Sequence, residues 1–215
     1  MTASLRTLSL TFRYPGGFAL GPIDLDLGPG LHWLRGQNGA GKTTLMKCLC
    51  GGLRPSAGSV SLAEGDPVRD HRARRGIAWM PAGCDLPDFL TVDEAWQMMA
   101  ALRGAPRWDA GPLREALGLP GRLRLSACSA GQRKKASLLA ALAGDPGVLL
   151  LDEPLANVDV QAAETLSGWL EGWRAERVVV LASHEALPLR ADSEATLAAG
   201  APLRWDCDTL APTGG

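Results

Sequence analysis

The sequence predicts an α/β protein with a mostly parallel sheet, an N-terminal antiparallel β-subdomain and an inserted α-helical subdomain. Apolar and polar residues alternate through 5–35, broken by Pro15-Gly16-Gly17 and Gly28-Pro29-Gly30, the pattern of short antiparallel strands joined by turns. Two later runs, 148–151 and 178–182, are nearly all apolar, as expected of parallel strands covered on both faces. Between them and the N-terminal part, residues 83–144 carry helical signals instead.

The elements follow in order. Leu8, Leu10 and Phe12, then Ile23, Leu25 and Leu27, mark the first two strands, and a third antiparallel strand over 31–34 ends at Gly36. A glycine-rich loop follows, and a helix begins at Thr43 and runs to 49. Further strands are expected at 60–62 and 77–80. Thr91 and Glu94 stand at capping-box spacing ahead of Ala95, Met98, Met99 and Leu102, which predicts a helix. The Gly/Pro/Arg-rich stretch 103–112 reads as a surface loop, and the basic segment 69–75 as a solvated edge. A weak strand pattern stands at 203–205. The chain is expected to form one domain over 1–215, with 1–82 and 145–215 as the core and 83–144 as the helical subdomain.

Composition narrows the function. With 215 residues and 46% hydrophobic content the chain has enough material for a real core. Its 22 basic and 23 acidic residues nearly cancel, leaving a net charge of -1 and no overall field to recruit nucleic acid or acidic lipid. Five cysteines (Cys48, Cys50, Cys84, Cys128, Cys207) at irregular spacings, with three histidines, suggest neither a disulfide framework nor a zinc site. No stretch approaches the roughly 18 apolar residues of a membrane helix, so the chain is not expected to cross a membrane by itself.

The chemistry is concentrated in two places. Gly36-Gln37-Asn38-Gly39-Ala40-Gly41-Lys42-Thr43 satisfies GxxxxGK[ST] between a strand and a helix. Successive backbone amides from Gly36 to Thr44, together with the positive helix end, suit a triphosphate; Lys42 would reach its outer phosphates, and the Thr43 hydroxyl would ligate Mg²⁺. Downstream, the apolar run 148–151 ends in Asp152-Glu153, two carboxylates at the carboxyl end of a buried strand. Asp152 suits Mg²⁺, and Glu153 suits a general base acting on water.

Further residues occur in an order that resembles the ATP-binding subunits of ABC transporters. The most diagnostic run is Cys128-Ser129-Ala130-Gly131-Gln132, followed by Arg133-Lys134-Lys135, which is similar to the family's LSGGQ signature and lies ahead of the strand at Val148. The resemblance implies that Ser129, Gly131 and Gln132 bind the γ-phosphate of ATP held by a second ATPase subunit. It assigns Tyr14 to stacking on adenine, Asp159 to the loop crossing to the partner's site, and His184 to a contact with the γ-phosphate that orients Glu153 and water. Asp159 also reads as the N-cap of the helix that follows it.

Two departures stand out. Ala82 occupies the place of a glutamine that in the family touches Mg²⁺ and the lytic water, and no obvious substitute is legible. Cys128 and Ala130 replace the leucine and first glycine of the signature. The resemblance implies an ATP-hydrolysing motor bound peripherally to the cytoplasmic face of a membrane through a separate integral-membrane permease, with no nucleic acid among its partners. With 31 residues after His184, no added regulatory domain is expected, and the compact length leans toward export-type ATPases, including those resembling the haem-exporter subunit of cytochrome c maturation. Cys84, Leu86, Pro87, Phe89 and Leu90 would offer the permease an apolar landing surface, although the same residues also suit a core. Two other functions stay open: a soluble ATPase of this type acting on nucleic acid or ribosomes, and an ATP-gated interaction module with little hydrolysis.

Overall fold

The computed structural model describes residues 2–83, 85–104, 109–156, 158–184, 189–198, 203 and 205–206. Two sheets and five α-helices organise them. Strands β1 (Leu5–Arg13), β2 (Ala19–Leu27) and β4 (Ala57–Leu62) form an antiparallel sheet in the order β2-β1-β4. A second sheet takes the order β5-β6-β7-β3-β8-β9, built from β5 (Ile77–Met80), β6 (Val148–Asp152), β7 (Val178–Ser183), β3 (Gly30–Arg35), β8 (Ser193–Thr196) and β9 (Trp205–Asp206). All its pairings are parallel except β8 with β9.

The third strand corrects the sequence expectation. β3 leaves the antiparallel sheet and lies in the larger one, parallel to both β7 and β8. The misleading residue is His32, whose polarity imitates a solvent-facing position. It is buried, with Nδ1 2.7 Å from the Ser193 hydroxyl and Nε2 2.8 Å from the Gly28 carbonyl oxygen, and burial lowers its pKa. Leu31 and Leu34 then serve opposite faces of the strand.

The apolar runs behave as two-faced strands. Val148 and Leu150 of β6 enter one core cluster while Leu149 and Leu151 enter the other; Val178 and Val180 of β7 oppose Val179 and Leu181 in the same manner. A period of two with both faces covered leaves no polar position. The first cluster joins the parallel sheet to the antiparallel one and to helix α1 (Lys42–Leu49). The second packs α2 (Val92–Arg103), α3 (Gly111–Ala116), α4 (Ala130–Leu142) and α5 (Val160–Trp173) on the opposite face.

Helix ends obey local chemistry. Thr91 accepts from the Glu94 amide while the Glu94 carboxylate accepts from the Thr91 amide, the reciprocal cap expected of α2. Arg103, at the end of α2, donates to the Ala141 and Ala143 carbonyls and closes the end of α4. The loop expected over 103–112 is shorter than that, because Arg103 still belongs to α2 and Gly111 opens α3. The basic segment 69–75 is largely exposed apart from Ala73. Cys48 and Cys50 are free thiols; Cys84 and Cys207 lie outside the described residues. No helix among the described residues is long and apolar enough to cross a membrane.

Leu150 has no solvent exposure at the centre of β6. Leu150→Ala is expected to cost about 3 kcal/mol of unfolding free energy, read as a lower urea midpoint with an unchanged slope.

Candidate nucleotide-binding site

Four neighbouring strands, β5, β6, β7 and β3, end on one edge of the parallel sheet. β3 runs into the glycine loop, and Gly41, at φ 106°, admits the chain into α1. A side chain there is excluded twice: the backbone is left-handed, and a Cβ would meet the Phe18 ring at 2.8 Å. The loop borders a cleft of about 420 Å³ lined by Tyr14, Phe18, Gln37, Asn38, Gly39, Gly41, Lys42, Thr43, Thr44, Ala82, Asp152 and Glu153.

The cleft is built around buried charge. The Lys42 side chain folds under the loop, Nζ donating to the Gly36 carbonyl at 2.5 Å and to the Gln37 carbonyl at 3.4 Å, with the residue 6% exposed. Opposite it, Asp152 at the tip of β6 is 2% exposed and accepts from the Thr43 hydroxyl at 2.6 Å. Burial raises the pKa of Asp152, with the Glu153 charge adding to the rise; the Thr43 hydrogen bond and the Lys42 and Lys134 charges oppose it. A hydroxyl and a buried carboxylate side by side are hard oxygen donors that suit Mg²⁺, which takes one or two protein oxygens and leaves its other positions to phosphate and water. Among the described residues no cluster of three or more His, Cys, Asp or Glu competes as a metal site.

Glu153 departs from the strand with a left-handed φ of 51°, a conformation non-glycine residues seldom adopt. Its amide donates to the Ala182 carbonyl at 2.8 Å, and its carboxylate accepts from the His184 amide at 3.1 Å and meets His184 Nδ1 at 2.8 Å. The tips of β6 and β7 are thereby joined through the two side chains singled out for catalysis. His184 itself borders an adjoining hollow of about 960 Å³ on the far side of the loop, which Gly36 and Ala40 also line.

Tyr14 is 40% exposed and meets Phe12 edge to face, ring centroids 4.8 Å apart. Phe18, across the turn, accepts through its carbonyl from the Tyr14 amide at 2.9 Å. Phe18 carries no signal of this role in the sequence, because an aromatic at the head of a strand reads simply as core. Ser129, Gly131, Gln132 and Asp159 stand apart from the cleft. Ser129 caps α4, its hydroxyl accepting from the Gln132 amide at 3.2 Å, and the Gln132 side-chain oxygen accepts from the Ser129 amide at 2.9 Å. Asp159 caps α5 by accepting from the Ala162 amide at 2.8 Å, and a 2.9 Å bond from Lys135, the chief reason its pKa is lowered, ties it to α4. Asn157, beside it, lies outside the described residues. Of the expected landing surface, Phe89 is 70% exposed while Leu86 and Leu90 pack partly against the second cluster; Cys84 is not described.

Residues 20–156, more than half of the chain, match the ABC transporter family. An uncharacterized ABC transporter ATP-binding protein of Mycobacterium tuberculosis is 34% identical over 194 residues, covering 80% of this chain and 58% of the relative. The chain thus spans little more than half the length of such curated relatives. Among solved structures, an ATP-binding subunit of an ABC transporter superposes with a TM-score of 0.81 at 23% identity, covering 91% of this chain and 86% of that one. A dimeric ATP-binding cassette in a post-hydrolysis state, bound to ADP and Pi, superposes with a TM-score of 0.80 at 18% identity, covering 94% and 97%. These two share the fold. The glycine loop, the acids at the tip of β6, the signature-like cap of α4 and the sequence match agree: the chain belongs to the ABC transporter family.

Proposed function

We propose that the chain binds and hydrolyses ATP as the motor subunit of a transporter whose membrane-spanning permease is a separate part. The observation that carries this is the convergence of Lys42, Thr43, Asp152 and the hydrogen-bonded pair Glu153–His184 on the edge of one sheet. Tyr14 takes the adenine face, and the amides from Gly36 to Thr44 with Lys42 hold the phosphates. When bound, Mg²⁺ would neutralise charge on the phosphate oxygens, with Thr43 and Asp152 as its protein ligands. Glu153 takes the proton of the attacking water, and His184 holds that carboxylate in place through its backbone amide and ring.

Ser129, Gly131 and Gln132 line neither the cleft nor the hollow beside it. Exposed Ser129 and Ala130 at the start of α4 are available to a nucleotide held by a second ATPase subunit, as is the exposed Asp159 to that subunit's site. The related fold described as a dimer with ADP and Pi supports this arrangement, in which closure on two ATPs and reopening after hydrolysis do the work. Phe89 and its partly buried neighbours give the permease an apolar contact on the helical side, which would hold the subunit at the cytoplasmic membrane face.

Calorimetry with Mg·ATP is expected to give a binding isotherm that Lys42→Ala weakens at least about tenfold and that Gly41→Ala abolishes through the clash with Phe18. Steady-state phosphate release is expected to fall about 100-fold or more in Glu153→Gln, the scale of a general base, with nucleotide affinity retained. A wild-type rate equal to that of Glu153→Gln would refute hydrolysis. Recovery of the tagged chain from solubilised membranes without any integral-membrane protein would refute the transport assignment.

A further inference from the structure

Helix α4 sends two cations to the loop that joins β5 to α2. Lys134 is 8% exposed, and its Nζ donates to the Ala82 carbonyl at 2.7 Å. One residue earlier, Arg133 pairs with Asp88 at 2.6 Å. Ala82 lines the phosphate cleft, so the bond from Lys134 ties the wall of the cleft to α4. A buried ammonium is retained only where acceptors and negative charge offset its lost hydration. Packing alone would be served better by an apolar side chain.

We propose that Lys134 is a positioning residue that stands in for the glutamine missing at position 82, pinning the loop after β5 to α4 through the Ala82 carbonyl. The inference rests on the ATPase reading of the cleft. A displacement of α4 then reaches the Ala82 backbone at the cleft through one side chain. No side-chain amide at 82 is needed for that coupling, because the donor comes from the opposite partner: the helix supplies the side chain and the loop supplies only a carbonyl.

The test is a cycle on the full chain of Lys134→Met, which keeps the length of the stem and removes the ammonium, against Ala82→Gln, with Lys134→Arg as the conservative variant. Lys134→Met is expected to lower kcat about tenfold while changing ADP affinity by less than about twofold. Lys134→Arg is expected to retain kcat within about threefold. The gain in kcat from Ala82→Gln is expected to be about fivefold larger in the Lys134→Met background than in the wild type, the mark of two side chains sharing one task. Should Lys134→Met not fold, Lys134→Gln is read in its place with the same expectation. An unchanged kcat, equal losses of kcat and ADP affinity, or an equal effect of Ala82→Gln in both backgrounds overturns the proposal. A wild type whose rate does not exceed that of Glu153→Gln overturns the ATPase reading instead, and this inference with it.

Discussion

The glycine loop, the two acids, His184 and Ala82 each follow the end of one of four adjacent strands, and the spatial order β5-β6-β7-β3 is the constraint that makes them a site. β3 delivers the glycine loop, β6 the two acids, β7 His184 and β5 Ala82. None of these segments is close to all the others in sequence. Parallel pairing sends all four carboxyl ends to the same edge, and the two core clusters on the sheet's faces keep the strands from sliding. Groups mounted on strand tips are held more rigidly than groups on long loops, and that preorganisation is what phosphoryl chemistry demands of a protein.

The second feature is charge held away from water. Lys42, Asp152 and Lys134 are each less than a tenth exposed, and their proximity lets each offset part of the hydration that the others lose. Thr43 donates to Asp152 at 2.6 Å, and the charges of Lys42 and Lys134 oppose the rise in its pKa that burial imposes. Glu153 has a different cost. Its left-handed backbone is unfavourable by on the order of 1 kcal/mol, and the bonds to Ala182 and His184 hold it in that conformation. The strain turns its carboxylate toward the tip of β7 rather than back into the sheet.

The antiparallel sheet and the helical layer contribute from opposite sides. Tyr14 and Phe18 stand at the turn between β1 and β2, and Phe18 rests where a Cβ on Gly41 would be, so the aromatic wall and the glycine requirement are one packing fact. From the other side, α4 holds the loop after β5 by Lys134 and Arg133, and reaches Asp159 through Lys135. Three consecutive basic residues thus tie α4 to the loop after β5 and to the cap of α5.

Motifs with a local geometric requirement were legible in the residues alone. GxxxxGK[ST], an apolar run ending in Asp-Glu, Thr91 with Glu94, and Asp159 ahead of its helix each name a conformation that neighbours in sequence suffice to produce. The family resemblance rests chiefly on Cys128-Ser129-Ala130-Gly131-Gln132, with Tyr14, Asp159 and His184. What only the tertiary structure decided was which sheet β3 joins, that Phe18 faces the cleft, and that Lys134 reaches Ala82 from 52 positions away. A buried histidine and an exposed one look alike in sequence, as do a solvated lysine and one enclosed behind a carboxylate. Their difference is a matter of desolvation and of partners brought close by the fold, and neither is written into local spacing.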